Sequence, residues 1–242
     1  MLSAFLAGHT VLDYLLLFLA AIVMPLLSAI TGRQLARKNG VPLIRRYWLT
    51  ILRGWMVVAL ILFAWFWARR PLSTLGLDWP VHLWGEIGFI PVVLLAVYFA
   101  MQLLRLPKLA GANLDKWADR MQTLKITPGT REEMLVFILV AITAGIWEEL
   151  LYRGFFIWFL IPLTGAIGAA LISSAIFGIG HLYQGRQGVV YTAFVGLVFA
   201  ALYLATESLW WLMAAHAIVD IYGGALVYRL ISMRRDAELN YS

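Results

Sequence analysis

The chain has 242 residues, of which 62% are hydrophobic and only 13% charged, and its mean hydropathy is +0.83. These values exclude a soluble domain of this size, and despite the net charge of +6 no nucleic-acid partner is expected. Cysteine is absent, which excludes disulfides, thiolate metal sites and a thiol nucleophile.

The composition points to an all-α, polytopic transmembrane helix bundle with the lipid bilayer as its surroundings. A spanning helix takes about 20 apolar residues. Windows of that kind lie at 11–30, 49–68, 83–104, 134–161, 165–181, 188–205 and 208–231, so about seven spans are expected, with room for an eighth. No repeat or composition break divides them, and 1–242 reads as one membrane domain.

The first window has no basic stretch before it and no cleavage site after it, and is expected to be a retained span. Asp13 in this window and Glu86 in the third are expected near span ends where water is reachable, with His9 and His82 at the interface. Sixteen Lys and Arg residues fall on one side of the predicted spans, and only Arg69 and Arg70 on the other. By the positive-inside rule the amino terminus is outside and the carboxyl terminus cytoplasmic, in a cell (inner) membrane. Between spans three and four, Leu114, Trp117, Ala118, Met121 and Leu124 recur at helical spacing with charges opposite, predicting a helix on the cytoplasmic interface.

The fourth window ends in "GIWEELLYRG", residues 145–154, which carries three charges into an apolar run. A charge at mid-bilayer costs about 2.5–3.5 kcal/mol on insertion scales, so such groups face the bundle interior and serve a purpose. Glu149 and Arg153 are four apart in acid-before-base order and predict an internal ion pair. Glu148, about 100° round the helix, points elsewhere. "PLTG" at 162–165 predicts the turn into span five, whose rows Gly165, Ala169, Ser173 and Ala166, Ala170, Ser174, Gly178 allow close helix approach.

Depth relates these groups to those of later spans. Counted from the 162–165 turn, Glu148 lies about 21 Å and His181 about 24 Å into the membrane. Span seven starts from the same face near Glu207, which puts His216 at about 13 Å and Asp220 at about 19 Å. Four groups able to exchange protons therefore fall near one layer, closer to the cytoplasmic face. Peptide hydrolysis needs a base for water and donors for the developing oxyanion, worth roughly 10²–10⁴ and 10²–10³ in rate. Carboxyl and imidazole groups suit these tasks.

Three motifs, E-E-x-x-x-R at Glu148, Glu149 and Arg153, F-x-x-x-H at Phe177 and His181, and H-x-x-x-D at His216 and Asp220, together resemble a family. It is the CAAX prenyl endopeptidase and bacteriocin-processing (CPBP, or Abi) intramembrane proteases. The resemblance covers a catalytic core of about 134–225, while the first three spans match only in being hydrophobic. It implies an intramembrane endopeptidase acting on a peptide or membrane-protein substrate, membrane-associated, prenylated or carrying a leader. Glu148 and His181 would activate water, His216 and Asp220 would stabilise the oxyanion, Arg153 would orient or assist, and Glu149 would fix Arg153. Eukaryotic-type members carry Asn at the position of Asp220, so as a donor Asp220 would need its proton; otherwise it would orient His216.

A zinc sphere through Glu148, His181 and His216 is open to this sequence, but it would claim Glu148 as a ligand, and H-E-x-x-H is absent. No cofactor is expected. The alternatives are a non-catalytic membrane scaffold and a proton-coupled transporter, the latter disfavoured by the lack of repeated halves. Oligomeric state is left open.

Overall fold

The computed structural model describes residues 8–35, 41–79, 83–109 and 125–240, together with Gly111, Lys116, Ala118, Asp119, Gln122 and Thr123, and the elements of these residues are helical throughout. Helix α1 (Val11–Phe18) continues through a π-helical stretch (Leu19–Val23) into α2 (Met24–Leu35). Then follow α3 (Leu43–Trp67), a 3-10 turn (Leu72–Leu75), the short α4 (Leu83–Glu86) and α5 (Phe89–Leu109). The second half holds α6 (Arg131–Glu149), a π segment (Leu150–Ile157), α7 (Trp158–Gly180), a 3-10 turn (Leu182–Gln184), α8 (Gly185–Thr206) and α9 (Leu209–Asn240).

Among the described residues six stretches are long and apolar enough to cross a membrane: Val11–Ile30, Leu43–Trp67, Phe89–Pro107, Arg131–Gly180, Leu182–Thr206 and Leu209–Asp236. The fourth, at 50 residues, is too long for one pass through a core of about 30 Å. Gly165 breaks it, with φ 70° and ψ 172°, a conformation open to glycine but costly to other residues. The chain doubles back there, and Ser173 Oγ donates to the Tyr152 carbonyl across the hairpin (2.6 Å). The stretch is thus two passes, which makes seven among the described residues. It is an integral membrane protein.

Small residues set the tightest contacts. Ala169, Ala170, Ser173, Ser174 and Gly178 are buried, whereas Gly165 and Ala166 are exposed at the turn. A Cβ on Gly178 would meet the Val189 carbonyl oxygen and Ala193 Cβ at 2.7 Å, so α7 and α8 touch backbone to backbone. With lipid on the outside, such packing, more than removal of apolar surface from water, drives helix association. The main core gathers round the π segment, where Phe155, Phe156 and Leu151 pack with Ile61, Trp65 and Phe159. α5 lies along α9, with the Phe99 and Tyr222 rings stacked at 4.0 Å and Leu106, Leu226 and Leu230 beneath them.

One expectation needs correcting. Asp13 is not at a wet span end but fully buried. Its oxygens accept from Arg70 Nη1 and Nη2, each at 2.7 Å, and from the Thr10 N–H at 2.6 Å. The Arg70 guanidinium lies over Trp158 (4.5 Å) and Trp65 (5.1 Å). Arg70 comes from the loop after α3 and supplies the countercharge that makes the burial tolerable. Glu86 is exposed, as expected.

Tryptophans at the same end of the bundle hold loops: Trp210 Nε1 donates to the Leu77 carbonyl (2.9 Å) and Trp211 Nε1 to that of Gly85 (2.6 Å). In the expected interfacial helix, Leu114, Trp117, Met121 and Leu124 lie outside the described residues, as does His82. Within it Ala118 is buried against the α5–α9 cluster, and Asp119 pairs with Arg234 at 2.5 Å.

Candidate active site

α6 starts at a reciprocal cap: Thr130 Oγ1 accepts from the Glu133 N–H and Glu133 Oε2 accepts from the Thr130 N–H, both at 3.2 Å. It ends on Glu148 and Glu149. The π segment that follows is buried at every residue and carries Arg153; such widened turns occur often at functional sites.

Glu149, fully buried, is the hub. Its Oε1 accepts from Arg153 Nη1 at 2.9 Å and lies 2.7 Å from His216 Nδ1. One carboxylate oxygen thus holds the arginine four residues on and a histidine from α9. Arg153 Nη2 also donates to the Gly196 carbonyl on α8 (3.1 Å), and its guanidinium lies 4.4 Å from the Phe177 ring centroid. A charge this deep is tolerable only when paired and hydrogen-bonded on several sides.

Glu148 turns away from that hub. Its Oε2 is buried, makes no hydrogen bond to the protein, and lies 3.7 Å from His216 Nε2 and 3.9 Å from His181 Nε2. His181, at the C-terminal end of α7, has Nδ1 2.9 Å from the Phe177 carbonyl oxygen. A carbonyl only accepts, so Nδ1 carries the hydrogen, and with the ring neutral it is the Nε2 lone pair that faces Glu148. His216 uses Nδ1 on Glu149 in the same way, which leaves its Nε2 also facing Glu148. Asp220 Oδ2 stands 3.7 Å from that nitrogen, and the Asp220 side chain is 38% exposed.

The structure therefore brings all six predicted residues into one connected set from α6, the π segment, α7 and α9. The connections differ from expectation in one respect. Glu149, not Asp220, makes the hydrogen bond that orients His216. Sequence spacing could not show this, because it links residues 67 apart. Gly196 and Phe199 were also missed. Phe199 lies 5.9 Å from the His216 ring, and Gly196 leaves room for Phe177 and Arg153. The signal available was weak: Gly196 and Ala200 are four apart in an apolar span, the spacing of a close helix contact. Gly145 matters similarly, since a Cβ there would meet the α9 backbone at Met213 O (2.6 Å) and Ala217 N (3.1 Å), either side of His216.

Neighbouring ligands in a tetrahedral zinc sphere with bonds of about 2.0–2.1 Å stand roughly 3.3 Å apart. The 3.7 and 3.9 Å separations here are wider, and among the described residues no group of three His, Asp or Glu side chains has metal-binding spacing. As arranged, these residues do not fit the ion.

Residues 130–222, from the α6 cap to just past Asp220, match the family "Type II CAAX prenyl endopeptidase Rce1-like". This segment is similar to that family. A Bacillus subtilis (strain 168) protein named "Putative membrane peptidase YdiL" is 35% identical over 88 residues. That is 36% of this chain and 35% of the relative, so the likeness spans about a third of each. No solved structure matches the chain. The matched segment contains all six site residues, three of the passes in full and half of the last, and the spans before it are outside the match.

Proposed function

We propose that this chain is an intramembrane endopeptidase that hydrolyses a peptide bond of a membrane-associated substrate with water activated by Glu148 and His181. The observation that carries this is the meeting of Glu148 Oε2 with two imidazole Nε2 atoms inside 4 Å, at a carboxylate oxygen that the protein leaves without a hydrogen bond. The matched family and the peptidase name of the relative support the same reaction.

A water about 2.8 Å from both Glu148 Oε2 and His181 Nε2 would see them at roughly 90°, close to the angle between its own hydrogens. Both hydrogens are then engaged and a lone pair is free to attack. Glu148 takes a proton as the water oxygen adds to the scissile carbonyl carbon, and the carbonyl π pair moves to oxygen. Collapse of that oxyanion breaks the C–N bond, and the proton passes from Glu148 to the leaving amine. Since His216 Nδ1 donates to Glu149, only the doubly protonated ring offers an Nε2–H to the oxyanion. Asp220 is placed to balance that charge, a better role for an acid than direct donation. Glu149 and Arg153 hold His216 in position, and no metal enters the reaction.

The substrate class proposed is a prenylated or leader-bearing peptide or a membrane protein, cleaved near the cytoplasmic face of a cell membrane, with the amino terminus of the enzyme outside. The test compares peptide fragments in membranes from cells carrying the native chain and Glu148→Gln. Fragments absent with Glu148→Gln, at equal protein level, are the expected result. Identical fragment sets, with the biological effect retained, would favour a scaffold and sink the hydrolase; loss of ion flux without a changed fragment would favour a transporter.

A further inference from the structure

Tyr183 sits on the 3-10 turn (Leu182–Gln184) directly after His181. Its ring lies 5.8 Å from the His181 ring, tilted by 36°. The turn is anchored from behind, where the Tyr183 N–H donates to Ser28 Oγ of α2 (3.3 Å) and Ser28 is buried. The phenol oxygen accepts from Gln184 Nε2 at 3.0 Å, which orients it and leaves its own hydrogen to donate. No acceptor for that hydrogen exists among the described residues. The side chain is half-buried, and its ring beside that of His181 puts it on the side of the turn that faces the site.

A half-buried phenol held by a neighbour normally finds an acceptor. With none among the described residues, a bound molecule can supply it. An extended peptide bound over Glu148 brings backbone carbonyls, and these are the acceptors a neutral O–H serves best. We propose that Tyr183 is a substrate-positioning residue, donating a hydrogen bond to a backbone carbonyl of the bound peptide and so placing the scissile bond over Glu148 and His181. This rests on the hydrolase reading above. It adds a binding group outside the three motifs, on the turn that directly follows His181.

The test uses purified full-length protein and a synthetic peptide spanning a cleavage site found in the fragment comparison. Tyr183→Phe keeps the ring and its packing and removes only the O–H. Expected are an unchanged melting temperature, a KM raised about tenfold and a kcat within twofold of native, the pattern of a lost ground-state contact. In the inactive Glu148→Gln background, Tyr183→Phe should weaken binding of the same peptide by a similar factor. Gln184→Ala, which frees the phenol, should act in the same direction to a smaller extent. Native KM and native peptide binding for Tyr183→Phe would overturn the proposal, and so would a fall in kcat at unchanged KM. Either result leaves the hydrolase reading intact if Glu148→Gln is inactive, whereas an active Glu148→Gln would bring down that reading and this one together.

Discussion

Glu149 Oε1 lies 2.7 Å from His216 Nδ1 while accepting from Arg153 at 2.9 Å. Removing one member of a buried ion pair strands the other and costs about 3–5 kcal/mol. Glu149→Gln is therefore expected to lower the melting temperature of the detergent-purified protein and to reduce peptide cleavage by about 10²-fold or more. Glu149→Gln combined with Arg153→Met should recover much of the melting temperature without recovering cleavage. A single Glu149→Gln variant with native stability and native rate would show that the hub is not required.

Gly145 sets how near α6 comes to α9. Its substitution by alanine pushes a methyl into the Met213 carbonyl oxygen at 2.6 Å, which is backbone and cannot rotate away. A loss of about 1–3 kcal/mol in stability is expected, with a fall in activity as His216 moves off Glu149. Gly223→Ala, on α9 but facing open space, is the control and should change neither. Thermal melts and cleavage rates measured side by side would decide the matter; equal effects from the two substitutions would count against the close approach.

Asp13 and Arg70 form a buried pair at the end of the bundle where Leu209 N–H bonds to the Gly76 carbonyl (2.9 Å), away from the site. Asp13→Ala or Arg70→Met alone is expected to destabilise by several kcal/mol. The double substitution should be milder than either single one. Protein that remains folded should cleave at the native rate, so a stability assay and an activity assay ought to separate.

The wide spacing of Glu148, His181 and His216 leads to a prediction about metal. Cleavage by purified protein should survive prolonged treatment with a zinc chelator, and elemental analysis should find no stoichiometric transition metal. Loss of activity to the chelator, restored by zinc, would mean that these side chains close by several tenths of an ångström around an ion in the working enzyme.

How much of this was visible in the sequence depended on whether an interaction lay along one helix or between helices. The Glu149–Arg153 pair is an i, i+4 contact and could be read from spacing. The turn at Gly165 could be read from "PLTG", and the rise of 1.5 Å per residue brought Glu148, His181 and Asp220 near one depth. Azimuth between spans could not be read, so the Glu149–His216 bond was missed. Asp13 was misplaced for the same reason: its partner is 57 residues away, and an acid near a helix start looks wet until that partner is known. The π geometry of Leu150–Ile157 has no local signature in an apolar run.

That widened stretch of backbone makes rotation, rather than height in the bilayer, the delicate variable. Deleting a single residue between Glu149 and Trp158 would close a widened turn to an ordinary α turn and change the rotation of everything upstream against everything downstream. The rod would still cross the membrane and keep its internal bonds, yet Glu148 would face a different neighbour. The proposed chemistry is keyed to an angle, so a shortened span can be well folded and inert.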